Sequence, residues 1–279
     1  MSLSFSTYIM CWDSDAFALI NDMIAKNVIT NKTRIILASA NFNIHSNMDY
    51  IPGLSLYTIA DIQAIVDIVH NIDATISLSI SGSFKESELY SHPGDLAHNI
   101  NDMLLQCGFD GVDIDIKDTD SSNEFDMNCA ALINTIRFIN PLLYITLTTR
   151  PESDSDSDSD LNRDHANHTK LLQLTINALN AWQPIIYNST RIYWDINYYV
   201  TSWNIPANKI ILGIVPGLDS YGQCLTLYNA LNLTMFAQMN YMKGILIWNI
   251  HIDVLGCCGN APYAYIMGMQ SMQSMQSII

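Results

Sequence analysis

The chain has 279 residues, 49% of them hydrophobic and 14% charged, which is enough apolar material for one large domain or two small ones. An aromatic content of 10% argues against a disordered chain. A formal net charge of −15 repels phosphate backbones and anionic bilayers, so neither nucleic acid nor a membrane is expected as partner.

The N-terminus, Met1 to Trp12, lacks a basic stretch followed by an apolar core and a small-residue cleavage site, and no apolar run approaches a membrane span. A cytoplasmic location is therefore the default expectation. The six cysteines lack zinc spacing and read mainly as buried free thiols, with Cys257 and Cys258 adjacent.

Short apolar runs then alternate with longer helical stretches. The runs are Tyr8–Trp12, Arg34–Phe42, Thr75–Ile80, Phe109–Ile116, Leu143–Thr148, Ala181–Tyr187, Lys209–Val215 and Gly244–Ile250. Several are continuous and β-branched, as strands buried on both faces are. Between them lie the amphipathic stretches Ile59–Asn71, Asp95–Cys107, Asn128–Ile139 and Leu225–Met242. Eight strands alternating with helices predict an α/β fold with a parallel sheet closed into a single (β/α)8 TIM barrel over residues 1–262. The rival, an open doubly wound sheet, usually carries a glycine-rich loop after its first strand, and Trp12-Asp13-Ser14-Asp15 is not one. For the sixth strand Thr190–Tyr199 is an alternative to Ala181–Tyr187.

Two stretches break the rhythm. The Asp-Ser repeat from Ser153 to Asp160 reads as a solvated loop. Residues 263–279, with Met-Gln-Ser repeated from Met269 to Ser277, read as a last helix or a tail.

The chemistry concentrates in Gly108-Phe109-Asp110-Gly111-Val112-Asp113-Ile114-Asp115-Ile116-Lys117. Side chains alternate along a strand, so Asp113, Asp115 and Lys117 share a face. In a barrel strand that face points inward, toward the C-terminal mouth where barrel enzymes build their sites. Two carboxylates and an ammonium inside an apolar strand are costly to bury unless paired, which marks either a structural ion network or a site.

This segment resembles the fourth-strand signature D-x-x-D-x-D-x-E of glycoside hydrolase family 18, the chitinase family. It matches at Asp110, Asp113 and Asp115 and departs at Lys117. Other segments resemble the family in order. They are Ala40-Asn41-Phe42, Ser77-Leu78-Ser79-Ile80-Ser81-Gly82, Leu147-Thr148-Thr149-Arg150-Pro151, Ile186-Tyr187-Asn188, Lys209-Ile210-Ile211-Leu212-Gly213 and Gly244-Ile245-Leu246-Ile247-Trp248. The compact loops are most similar to the hevamine-like branch. The resemblance implies a sugar cleft lined by Phe42, Tyr187, Asn188 and Trp248, with Arg150 where a small residue is usual.

The resemblance also implies that the final Glu is the general acid, while the carboxylate two residues earlier, here Asp115, steadies the substrate's N-acetyl group. Lysine is a poor substitute: its ordinary pKa is about 10.4, and neighbouring carboxylates hold its proton more tightly still. Asp110, Asp113, Asp115 and Lys117 thus form a degenerate catalytic motif. The leading expectation is a catalytically inactive chitinase-like protein that binds N-acetylglucosamine-type glycans such as chito-oligosaccharides. The alternatives are a weakly active or atypical hydrolase of this family, and a structural, storage or protein-inhibitor barrel. No cofactor or metal is expected. The acidic runs lack the EF-hand glycine and glutamate, and His165 and His168 lack a third zinc ligand.

Overall fold

The structure, a computed structural model, describes residues 3–11, 15–44, 49–81, 92–116, 123–149, 169–185, 192–218 and 224–276. Eight parallel strands form a barrel: β1 (Ser4–Met10), β2 (Thr33–Ala40), β3 (Thr75–Ser81), β4 (Gly111–Ile116), β5 (Tyr144–Thr149), β6 (Ala181–Pro184), β7 (Ile211–Ile214) and β10 (Gly244–Ile247). The hydrogen-bonded order is β6-β5-β4-β3-β2-β1-β10-β7. Isolated parallel bridges Trp182↔Ile210 and Ile185↔Gly213 draw the two outer strands together, leaving a nearly closed ring. A two-residue ribbon, β8 (Gly217–Leu218) with β9 (Cys224–Leu225), stands outside it.

Helices α1 (Ala16–Ala25), α2 (Ile59–His70), α3 (Pro93–Cys107), α4 (Asn123–Ile139), α5 (Thr169–Thr175), α6 (Ile192–Ser202), α7 (Leu227–Met239), α8 (Ile250–Val254) and α9 (Ala264–Gln276) complete the architecture. Local sequence accounts for several boundaries. Thr58 and Asp61 form a reciprocal capping box at the start of α2. Pro93 opens α3, and Gly108 closes it at φ 81°, in the left-handed region that glycine enters without steric penalty.

Strand alternation sorts the core into two clusters. Outward-facing residues such as Ile9, Ile35, Leu37, Leu78, Ile114, Leu147, Trp182, Leu212 and Ile245 pack beneath the helices in the larger one. Inward-facing Tyr8, Met10, Ile36, Ala38, Ala181, Ile185, Ile211 and Leu246 form the smaller one inside the barrel. That lining covers only part of the interior. The inward positions of β3, β4, β5 and the middle of β6 are Ser77, Ser79, Ser81, Asp113, Asp115, Thr146, Thr148 and Gln183, all buried and polar. The barrel interior is therefore half apolar and half hydrogen-bonding.

Two expectations change on contact with the structure. The alternative sixth strand is helical: α6 covers most of Thr190–Tyr199, and Ile196, Tyr199 and Trp203 are buried at helical spacing. Their packing on Trp182, with Tyr199 at 5.0 Å and Trp203 at 6.1 Å between ring centroids, overrides the β-propensity of the aromatic run. Cys11, Cys107 and Cys129 are buried free thiols, but Cys258 is exposed and disulfide-bonded.

The Met-Gln-Ser stretch belongs mainly to helix α9, which buries Tyr265, Ile266 and Met269 in the main core. The buried Asp253 carboxylate fastens this helix by accepting the Tyr265 and Ile266 N–H groups at 3.1 and 3.0 Å. An Asp253→Ala substitution removes a cap worth about 1–2 kcal/mol. Urea denaturation should show a loss of that size, and an unchanged midpoint would mean that α9 docks by its apolar face alone.

Candidate functional site

Asp113 sits at the centre of the polar half of the barrel. Register places it beside Ser79 on β3 and Thr146 on β5, with Asp115 one inward step higher, beside Ser81 and Thr148. Asp113 is 0% exposed and Asp115 1% exposed. The Asp113 carboxylate accepts from Thr146 Oγ1 and Thr148 Oγ1, each at 2.7 Å, and from Gln183 Nε2 at 3.0 Å. Its other oxygen accepts from Tyr8 OH at 2.5 Å and Ser79 Oγ at 3.0 Å. Tyr8 OH also lies 2.9 Å from Thr148 Oγ1, and Gln183 Nε2 2.9 Å from the same atom.

Five donors from four strands thus converge on one buried carboxylate. Its pKa is nevertheless pushed up to about 6, first by burial and then by the neighbouring Asp115 charge, with the hydrogen bonds of Tyr8, Thr146 and Thr148 opposing the rise. The Tyr8 phenol is held well above its ordinary range by burial and by the two aspartates. It therefore stays protonated and acts as a donor.

Trp248 follows β10 at the C-terminal mouth, half-buried, its ring meeting Tyr8 edge-on at 4.5 Å between centroids. It closes the apolar half of the interior together with Ile252. The peptide bonds Ala38–Ser39 and Trp248–Asn249 at the mouth are cis. His251 Nε2 accepts the Met10 N–H at 3.0 Å, tying the end of β1 to the segment after Trp248. Ser39 and Ser81 share a 3.0 Å hydroxyl contact at the ends of β2 and β3.

The sequence-predicted residues separate into groups. Asp113 and Asp115 share the inward face of β4, and Tyr8 links Asp113 to Trp248 by donating to the one and meeting the ring of the other edge-on. Asp110 does not join them: it precedes β4, where its carboxylate accepts the Ile76 N–H at 2.8 Å and meets His70 Nε2 at 3.0 Å. It fastens the start of β3 to the end of α2. Phe42 is 2% exposed and packs in the outer core, so its ring offers no open face to a sugar. Lys117, Arg150, Tyr187 and Asn188 lie outside the described residues.

Sequence reasoning missed Tyr8, Ser79, Thr146, Thr148 and Gln183. A signal existed for the hydroxyls: Ser77-Leu-Ser79-Ile-Ser81 and Thr146-Leu-Thr148 alternate at the strand period, which puts their oxygens in one row. Among the described residues, no group of three or more His, Cys, Asp or Glu side chains is placed to hold a metal ion. Among the same residues, no helix is long and apolar enough to cross a membrane.

No protein-family model matches the chain, and no curated protein does. Solved chitinase structures share its fold. A GH18 chitinase from Pseudoalteromonas aurantia aligns with a TM-score of 0.70 at 16% identity, covering 96% of this chain and 99% of that one. Active domain 2 of a thermostable chitinase from Pyrococcus furiosus, solved as catalytic-site mutants complexed with chito-oligosaccharides, aligns at 0.70 and 13% identity, covering 99% and 96%. The Rhizomucor miehei chitinase RmChi1 aligns at 0.63 and 15% identity, covering 95% and 99%. The chain is thus a single-domain (β/α)8 barrel with the fold of GH18 chitinases along nearly its whole length.

Proposed function

We propose that this barrel is a chitinase-like protein that holds N-acetylglucosamine-type glycans at its C-terminal mouth and does not cleave them. The observation that carries the reading is the hydrogen-bonded carboxylate below Trp248. Asp113 keeps five donors in a buried setting that opposes its ionisation. A barrel needing only stability would be served better by apolar residues there, since replacing buried charge by well-packed hydrophobes is often neutral or stabilising. The same-face Asp115 and the half-buried Trp248 supply what an amide-bearing sugar asks of a site: a carboxylate for an N–H and an aromatic ring for a pyranose.

The lack of cleavage rests on position 117. Two residues beyond Asp115 the chain carries Lys rather than a carboxylic acid. An ammonium with an ordinary pKa near ~10.4 is poorly matched to proton donation at neutral pH.

Calorimetric titration with chitotetraose tests the binding half. Saturable binding should weaken at least ~10-fold in Trp248→Ala, the loss of about 1.4 kcal/mol of stacking. No binding of any chito-oligosaccharide at millimolar concentration sinks the proposal.

A further inference from the structure

The opposite end of the barrel carries a second chemistry. A cavity of about 530 Å³ opens at the N-terminal ends of the strands, lined by Ser4, Asn31, Lys32, Arg34, Thr75, Tyr144, Asn208 and Lys243. Three of these eight residues are cationic and none is acidic. In a chain with 27 Asp and Glu against 12 Lys and Arg, that composition is the reverse of the average surface.

The concentration of charge extends beyond the lining. Arg34 and Lys209 both act on Lys243, and Arg137 acts on Lys209, each a repulsion that lowers the affected lysine's pKa beyond what burial does. Together with Lys32, five of the chain's 12 cations gather at this face.

Part of this cluster has a structural use. Arg137 binds the carbonyls of Ala178, Pro141 and Leu143, Lys209 binds those of Ile176 and Leu179, and Lys243 donates to Asn180 O at 3.0 Å. Carbonyls satisfy hydrogen bonds but do not neutralise charge. Arg34 lies over the Tyr144 ring at 3.6 Å and donates to Ser77 Oγ at 3.0 Å, both neutral partners. Asp110 also attracts Arg34, but its carboxylate is held by His70 and the Ile76 N–H. Lys32 is exposed, and its ammonium has no carboxylate within ion-pair reach among the described residues.

We infer that this N-terminal cavity is a binding site for a small polyhydroxylated molecule carrying a phosphate or sulfate ester. Lys32, Arg34 and Lys243 supply the positive field for the oxyanion. The side-chain amides of Asn31 and Asn208 and the hydroxyls of Ser4 and Thr75 supply partners for a polyol. The volume matches: about 530 Å³ exceeds what a bare inorganic ion fills and falls within the 300–1,000 Å³ usual for small-molecule sites. The site is separate from the mouth, because every lining residue lies before a strand or within its first two residues, whereas Trp248 follows the end of one.

The test is calorimetry at low ionic strength with glucose 6-phosphate, glucose 6-sulfate and glucose, on the full chain and on Lys32→Gln and Lys243→Gln. At least one ester should bind, glucose should not, and each substitution should weaken the ester at least ~10-fold. The stronger ester identifies the oxyanion. Lys32 is exposed, so its variant keeps the test valid should Lys243→Gln fail to fold. Binding of neither ester overturns the inference. So does ester binding that Lys32→Gln leaves unchanged, or that chitotetraose displaces. Success or failure here is independent of glycan binding at the mouth.

Discussion

Asp113→Ala is expected to destabilise the protein far more at pH 4 than at pH 7, by about 5 against about 2 kcal/mol. Two opposing effects set these figures. Removing the carboxylate strips an acceptor from Tyr8, Ser79, Thr146, Thr148 and Gln183. Tyr8 and Thr148 can re-pair with each other, being 2.9 Å apart. The remaining buried donors cost about 1–3 kcal/mol each, and a small cavity adds roughly 1. Against this, the substitution relieves a buried negative charge beside Asp115.

That relief depends on pH, and its sign follows from the direction of the shift. Asp113 is raised from 3.8 to about 6, so between these values the folded protein holds a proton that the unfolded chain has released. Stability of the unsubstituted protein therefore falls as pH rises from about 4 to about 6, by about 3 kcal/mol, and this contribution is flat above that window. The Ala variant has no such slope at this position, so its deficit shrinks as the pH rises. Urea denaturation at intervals between pH 4 and 7 measures the difference. A deficit that is constant with pH would show that Asp113 titrates as an ordinary carboxylate, and one larger at pH 7 would show that its hydrogen bonds lower its pKa instead.

Much of the barrel is legible in the sequence because its cause is local and repetitive. A strand buried on both faces is a continuous apolar run, and eight of them spaced by helices leave few ways to close a core. The run Ile76-Ser77-Leu78-Ser79-Ile80 illustrates both the gain and the limit. Its period of two is visible in the letters and fixes which oxygens face inward. Which carboxylate those oxygens meet depends on the stagger between β3 and β4, where Ser79 pairs with Asp113, and no local rule sets that stagger. Tyr8 is harder still, since its partner lies 105 positions away across the barrel.

Asp110 and Phe42 show why a motif is less than a site. Asp110 is three residues before Asp113, an odd offset that turns it off the inward face, and it serves the α2–β3 junction instead. Phe42 lies two residues beyond the end of β2, where the chain has left the strand and the inward alternation no longer applies. Cys258 carried no zinc-like spacing signal, and its disulfide was not legible in the sequence.

Restoring a carboxylic acid where the fourth-strand motif departs should switch the barrel on: Lys117→Glu is expected to hydrolyse a fluorogenic chitobioside at least ~100-fold faster than the unsubstituted chain. General acid catalysis is worth about 100- to 10,000-fold, and the lower end suits a site not selected around that residue. The other parts of the reaction are asked of groups already in the chain. Asp115 would hold the substrate's N-acetyl group, with Asp113 one inward step below it on the same strand face. Burial, and then the Asp115 charge, raise Asp113, and a glutamate that shared this setting would be raised by the same two causes toward the range where an acid is useful near neutrality. The pH profile of the variant should fall on its alkaline side as this acid loses its proton, and Lys117→Gln should remain silent. Glycan binding with no gain of turnover would keep the binding site and reject position 117 as the missing acid. Turnover by the unsubstituted chain that survives Lys117→Ala would reject the inactive reading altogether.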